Sequence, residues 1–518
     1  MIVSAEESIN HPTLFFHCSG RDLPDYAHKS FDSFLVENGK IIRRDFGLET
    51  MSRFRGYTQF DLGGEVVLPA FADVHTHFMQ TGLMLVGCRL DRARSLDEVF
   101  DRLHTFAAAH PDLKWILAWN LDESELQENR LPTVAELDAV LPAKNLWLSR
   151  IDLHSAVPNS HAMAWAQSIL PSAALVGGRF CMETYAFLST RLQADLPVDF
   201  KRRGLELART SCHEHGIGTV HALEGGDECL NADVALVSDF LLEPELHGVI
   251  YHQSLDPTFA LQHGWNRLGG CLFIDGSFGS RTAALCESYT DDPENNGMLY
   301  KSRDDVEELL RCCRVHDLQL AMHCIGDRAI DFLTEIHVNA FEKFGPPPLP
   351  HRIEHFELPD DTALRRVREA SLFISVQPAF EALWGGIGRM YDKRLGAERV
   401  LRTNPFRTLL DCGIPIAGGS DSPVTPLDPF LGIDGFVNHP NPDERIDLNS
   451  ALSAFILEPH RFAGEDADRG RLGPGFRADF VTLPSDPFLT TPSKLRELRT
   501  SRLFLEGRPV GHSPSKGV

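Results

Sequence analysis

Eight short apolar segments recur along this chain with polar or helix-like stretches between them, and this alternation constrains the fold more than any other feature. The segments are residues 66–73, 218–223, 248–251, 271–275, 318–323, 352–355, 372–377 and 414–421. Most are rich in β-branched or aromatic residues and too short for a helix, so they read as strands covered on both faces. Stretches such as 304–316 and 329–344 carry the apolar spacing of amphipathic helices. Eight strands with intervening helices predict an α/β fold, a (β/α)8 TIM-like barrel.

At 518 residues the chain exceeds one ordinary core, and two regions fall outside the alternation. Near the N-terminus, residues 32–42 read as a hairpin turning at Asn38-Gly39, a dipeptide suited to a two-residue turn. The tail offers strands at 478–483 and 501–507, and neither end alone has enough strands for a stable sheet. A small β-domain made from both termini, residues 1–66 and 466–518, is therefore expected. Residues 84–210 are far too many for a βα connection and contain strand-like pieces at 115–119 and 146–150. They predict an inserted domain after the first barrel strand, which assigns the barrel to 67–83 and 211–465.

The formal net charge of −23, with no basic block to offset it, argues against nucleic acid or an anionic membrane as partner. An acidic surface that serves solubility accounts for it. Eleven scattered cysteines, odd in number, suit reduced thiols in a cytoplasmic protein better than a disulfide framework. Neither a signal peptide nor a membrane-spanning stretch is apparent. The expected partner is a small-molecule substrate, and a homodimer is the commonest assembly for such a chain.

In a barrel of this type the C-terminal ends of the strands face one mouth. His75 and His77 end the first segment, and residues two apart on a strand point to the same side. Cys271 to Asp275 form the fourth segment, His323 ends the fifth, His355 the sixth and Asp421 the eighth. Singly, His323 and His355 would read as core or rim histidines and Asp421 as a turn-former or helix cap. Gathered at one mouth, four histidines and a carboxylate make a ligand set suited to zinc.

The residues that carry this pattern resemble the amidohydrolase superfamily and, within it, the YtcJ-like group. The resemblance rests on Leu68-Pro69-Ala70-Phe71-Ala72-Asp73-Val74-His75-Thr76-His77, Asp275-Gly276-Ser277-Phe278-Gly279-Ser280-Arg281 and His323-Cys324-Ile325-Gly326-Asp327-Arg328. It continues in His351-Arg352-Ile353-Glu354-His355, Ser375-Val376-Gln377-Pro378 and Gly419-Ser420-Asp421-Ser422-Pro423. It implies a metal-dependent hydrolase that cleaves amide-like carbon–nitrogen bonds other than peptide bonds. By the same resemblance His75, His77, His323 and His355 bind one or two divalent ions, and Asp421 both binds metal and moves protons.

The chain departs from the superfamily at one position. Many members carry a carboxylated lysine on the fourth strand that bridges two metals, whereas no lysine lies between Lys201 and Lys301 here. Cys271 takes that place by register, and a thiolate is a good zinc ligand able to bridge. The plainer reading makes Cys271 a small buried hydrophobe beside a single metal. Glu224, read as an exposed loop residue, is the fallback acidic ligand. Asp275, Arg281, Arg352 and Trp384 are candidates for supporting contacts behind the metal ligands or for substrate contacts, with ion pairing or packing as the alternative for each. Two other functions fit the same ligand set: a deaminase of an amino-substituted ring, and a catalytically idle barrel that keeps its metal for structure.

Overall fold

The computed structural model describes residues 12–45, 57–151 and 155–511. The outermost parts of the expected terminal β-domain, 1–11 and 512–518, lie outside the described residues. The chain divides into two compact units, one formed by residues 1–77, 210–226 and 238–518, the other by 78–209 and 227–237.

The first unit contains an eight-stranded parallel sheet whose strands follow chain order: Phe71–Thr76, Ile217–Gly225, His247–Gln253, Arg267–Phe273, Gln319–Cys324, Arg352–His355, Phe373–Val376 and Ile416–Gly418. The two ends of the sheet meet just past the last strand. Thr76 forms a parallel bridge with Ser422, the His77 N–H donates to Ser422 O at 2.8 Å, and the Asp421 N–H donates to His75 O at 2.8 Å. This is the nearly closed (β/α)8 architecture expected from the alternation. Buried side chains on both faces explain why the strands read as continuous apolar runs. The helix Arg303–Val315 starts with a capping box, Ser302 with Asp305, and Asp327–Phe344 ends at Gly345.

A second sheet in this unit joins both ends of the chain. Its order is Arg508–Val510, Arg502–Leu505, Phe480–Leu483, Val66–Pro69, Thr13–Gly20, Phe31–Glu37 and Lys40–Asp45, with Thr58–Asp61 also paired to Thr13–Gly20. The hairpin turns at Asn38 and Gly39 with φ of 51° and 75°, the left-handed pair a type I′ turn requires. Its core is aromatic: Phe15 stacks on Phe34 at 5.1 Å and Phe480 on Phe504 at 4.4 Å.

The stretch 66–73, read above as one strand, is two. Val66–Pro69 pairs with Phe480–Leu483 in the terminal sheet, and Phe71–Thr76 opens the barrel. Proline has no N–H to continue a ladder, so the chain is free to change sheets after Pro69. The next two amides mark the change: Ala70 still donates to Asp479 O, beside the terminal-sheet strand Phe480–Leu483, and Phe71 donates to Gly216 O, beside the barrel strand Ile217–Gly225, both at 3.0 Å.

The second unit is built on a five-stranded sheet ordered Phe180–Cys181, Ser155–Pro158, Asn145–Arg150, Trp115–Leu121 and Cys88–Arg89. Helices Leu96–Ala109 and Val134–Val140 contribute Val99, Leu103 and Leu137 to a core shared with Ile116 and Leu146. Trp147 belongs to this interior, stacked on Phe180 at 5.6 Å, while Trp115 and Trp119 are half-buried. Among the described residues no helix is long and apolar enough to cross a membrane.

Candidate metal centre

The six residues singled out from the sequence converge at the C-terminal ends of the barrel strands, as the fold requires. His75 Nε2 lies 3.3 Å and His77 Nε2 3.2 Å from Asp421 Oδ1. Cys271 Sγ lies 3.5 Å from His323 Nδ1 and 4.0 Å from His355 Nε2. The His355 ring sits 4.9 Å from that of His75 and 4.4 Å from that of His323, which ties the two halves together. Among the described residues two triads have donor atoms close enough to share one ion: His75 with Cys271 and His355, and His75 with His77 and Asp421. His323 joins neither triad and reaches the cluster through Cys271.

Local backbone features aim these side chains. Asp73 accepts from the His75 N–H at 3.1 Å and the Ser420 N–H at 3.0 Å, fastening the first strand to the turn after the eighth. A Cβ on Gly419 would stand 2.7 Å from the backbone nitrogen and Cβ of His75, so the turn approaches this closely only with glycine. Gly269 and Gly270, at φ of 86° and 95°, break the register of the fourth strand just before Cys271. Such irregularities re-aim side chains beside active sites. His355 and Asp421 adopt φ of 72° and 56°, conformations that cost of order 1–3 kcal/mol for residues other than glycine and concentrate at functional sites. For His355 the left-handed turn ends the strict alternation of the sixth strand. That lets it join the cluster although it directly follows the inward Glu354.

The electrostatics of the cluster are those of mutually compensating charges. Burial penalises a charged His77, but the Asp421 carboxylate and the Cys271 sulfur outweigh it and push its pKa up to about 10. Burial also opposes the anionic forms of Cys271 and Asp421. The neighbouring His323 nonetheless draws the thiol well below its ordinary value, and His75 does the same for the carboxyl. By residue type the donors suit a cation that displaces the protons of the histidines: a cysteine sulfur, a carboxylate and imidazoles. His75 Nε2 and Asp421 Oδ1 are buried and, although 3.3 Å apart, make no well-aligned hydrogen bond, an arrangement that an ion between them would satisfy better. The residues present fit a divalent metal.

Three histidines have outer partners that fix their orientation. His75 Nδ1 lies 2.8 Å from Glu354 Oε2, His77 Nδ1 3.2 Å from Leu223 O, and His323 Nε2 3.1 Å from Gly276 O. Glu354 went unrecognised in the sequence. The available signal was Arg352 and Glu354 two apart on a buried strand, because charged residues at such positions must pair. Arg352 donates to Glu354 Oε1 from Nε at 2.5 Å and to Oε2 from Nη2 at 2.9 Å. Burial raises the carboxyl of Glu354, but Arg352 and then His75 reverse this and bring its pKa down to about 2.

The candidate substrate contacts are placed differently. The Asp275 carboxylate is fully buried and accepts from the N–H groups of Ala284, Ile325 and Gly326 at 2.8, 2.9 and 2.8 Å, stapling the loops after the fourth and fifth strands. Arg281 is tied to Asp291 at 2.8 and 3.0 Å. Arg352 is wholly buried in the barrel interior. Half-buried Trp384 packs on Phe380 at 4.9 Å, and Phe380 stacks on His355 at 6.0 Å. Glu224 is not the exposed loop residue expected: it lies within the strand Ile217–Gly225 and is 5% exposed. Pairing of that strand with His247–Gln253 runs through Gly225, so burial extends past the point where the apolar run stops. Phe273, half-exposed with its ring 4.6 Å from that of His323, is a further apolar neighbour of the cluster.

A parallel (β/α)8 barrel with imidazole, thiolate and carboxylate donors gathered at the strand ends defines a class, the barrel hydrolases that work with bound metal. The model of the amidohydrolase family matches residues 59–511, and the chain belongs to that family. It is 26% identical over 486 residues to the putative amidohydrolase YtcJ of Bacillus subtilis (strain 168), covering 87% of this chain and 90% of that one. It is 23% identical over 524 residues to N-substituted formamide deformylase of Arthrobacter pascens, covering 93% and 95%. The crystal structure of an uncharacterized metal-dependent hydrolase from Pyrococcus furiosus matches with a TM-score of 0.76 at 26% identity, covering 92% of this chain and 100% of that one. The chain is a hydrolase of a metal-dependent family.

Proposed function

We propose that this hydrolase cleaves an amide-like carbon–nitrogen bond, other than a peptide bond, in a small molecule. Zinc would be held by His75, His77, Cys271, His323, His355 and Asp421. The observation that carries the reading is the pair of buried, unsatisfied atoms His75 Nε2 and Asp421 Oδ1 at the centre of the donor set. The thiolate among the donors favours zinc over harder ions. The similarity to an enzyme named for deformylating N-substituted formamides supports a carbon–nitrogen bond as the target.

When bound, the ion supplies Lewis acidity, which in favourable sites brings the pKa of water from 15.7 to roughly 7. Asp421, anionic and within reach of both His75 and His77, has a second oxygen, Oδ2, to take the proton of the attacking water. The water oxygen bonds to the carbonyl carbon, the carbon–nitrogen bond breaks, and Asp421 returns the proton to the departing nitrogen. The products are an amine and a carboxylic acid, which ionises to the carboxylate and gives its proton to solvent or to the released amine.

Stripping the purified protein with a chelator is expected to reduce turnover of a panel of N-substituted amides to background, and stoichiometric Zn2+ to restore it. Turnover that survives removal of the metal would overturn the reading. Release of ammonia from amino-substituted rings, with the amides untouched, would mark a deaminase instead. Tightly bound metal without turnover of any compound would mark an idle barrel.

A further inference from the structure

We infer that Glu354, itself held by Arg352, is a positioning residue that fixes His75 for metal binding. The inference rests on His75 being a ligand. Both triads able to share an ion contain His75, so its ring is the common element of the centre. The outer partners of His77 and His323 are neutral backbone carbonyls, whereas that of His75 is a carboxylate. A carboxylate facing Nδ1 keeps the proton there, directs the Nε2 lone pair into the cluster and raises the basicity of the ligand.

Alone in the barrel interior the carboxylate would be free to turn. Arg352 prevents this with its two-pronged contact, and the guanidinium is in turn anchored to other strands. Its Nη2 donates to Val74 O at 2.8 Å, and its Nη1 donates to Tyr251 Oη at 3.1 Å and to His221 Nδ1 at 2.9 Å. The Tyr251 hydroxyl donates to Gln319 Oε1 at 2.6 Å. The network thus engages the first, second, third, fifth and sixth strands and, through Glu354, reaches the His75 imidazole. A pair that served packing alone would have no need to terminate on a candidate ligand.

The test uses the full chain and Zn2+ affinity measured by competition with a chelator, alongside the visible absorption of the Co2+-loaded protein. Glu354→Gln is expected to weaken Zn2+ binding roughly 10- to 100-fold, to alter the Co2+ spectrum and to shrink the rise in melting temperature on adding Zn2+. Thr334→Val, which removes a buried hydroxyl bonded at 2.7 Å to Ile330 O within the helix Asp327–Phe344 and outside this network, is expected to lower the melting temperatures of metal-free and loaded protein alike, with Zn2+ affinity near wild type. Should Glu354→Gln fail to fold, the double variant Arg352→Met with Glu354→Met removes both charges together, a change buried pairs commonly tolerate, and the same loss of affinity is expected. Zn2+ affinity within twofold of wild type in either Glu354 variant, while His75→Asn loses the metal, would overturn the positioning role alone. Retention of full Zn2+ affinity by His75→Asn would overturn the ligand reading beneath it.

Discussion

Asp421→Asn is expected to lower kcat by roughly 10²- to 10⁴-fold, the usual contribution of a general acid–base group, with the fold and most of the metal retained. The substitution is nearly isosteric, and asparagine accepts the left-handed backbone that Asp421 adopts at φ 56°. The hydrogen bond from the residue 421 N–H to His75 O, which helps to close the barrel, does not involve the side chain. The amide oxygen can still face His75 and His77, but the variant lacks the second anionic oxygen that takes and returns the proton. Steady-state kinetics, metal content per chain and melting temperature check the three parts separately. Near wild-type kcat would remove Asp421 from proton transfer, and loss of metal in step with activity would reduce its role to ligation.

The eight barrel strands were legible because a strand buried on both faces must be apolar throughout, and the loops between them need not be. The same logic located the mouth: His75, His77, His323, His355 and Asp421 are polar residues that end apolar runs. It failed where the apolar signal and the strand end do not coincide. Residues 66–73 form one apolar run but change sheets after Pro69, because both sheets bury that run equally well. Glu224 lies beyond the apolar run of the second strand yet remains buried within it. Long-range pairings were also out of reach. That Glu354 meets His75, or that Asp275 is consumed by three backbone N–H groups, depends on which strands become neighbours and in what register. Arg352 illustrates this: the sequence left a contact behind the ligands, a substrate contact and an ion pair all open for it, and only the assembled barrel shows it enclosed and paired with Glu354 behind His75.

Cys271→Ser and Cys271→Ala together separate a ligand from a packing residue at the position where a carboxylated lysine would otherwise be sought. Cys271 has apolar company, Leu223, Val249, Tyr251 and Ala321, so a purely packing role has a physical basis. Under that role alanine would be the milder replacement, and metal content would not change. The polar side of its surroundings points the other way. His323 and His355 lie 3.5 and 4.0 Å from Sγ, and the histidines around it hold the thiol well below its ordinary pKa against the opposing effect of burial. A thiolate enclosed by imidazoles is a strong zinc donor, and neither a serine hydroxyl nor a methyl group replaces its charge. Both variants are therefore expected to bind less metal per chain. Their kcat/KM should fall at least as far as when an outer partner of a ligand is removed, roughly 100-fold or more. The near-ultraviolet thiolate charge-transfer band of the Co2+-loaded protein should vanish in both. Unchanged metal stoichiometry and turnover in Cys271→Ser would return Cys271 to the barrel core and leave the remaining donors to hold a single ion.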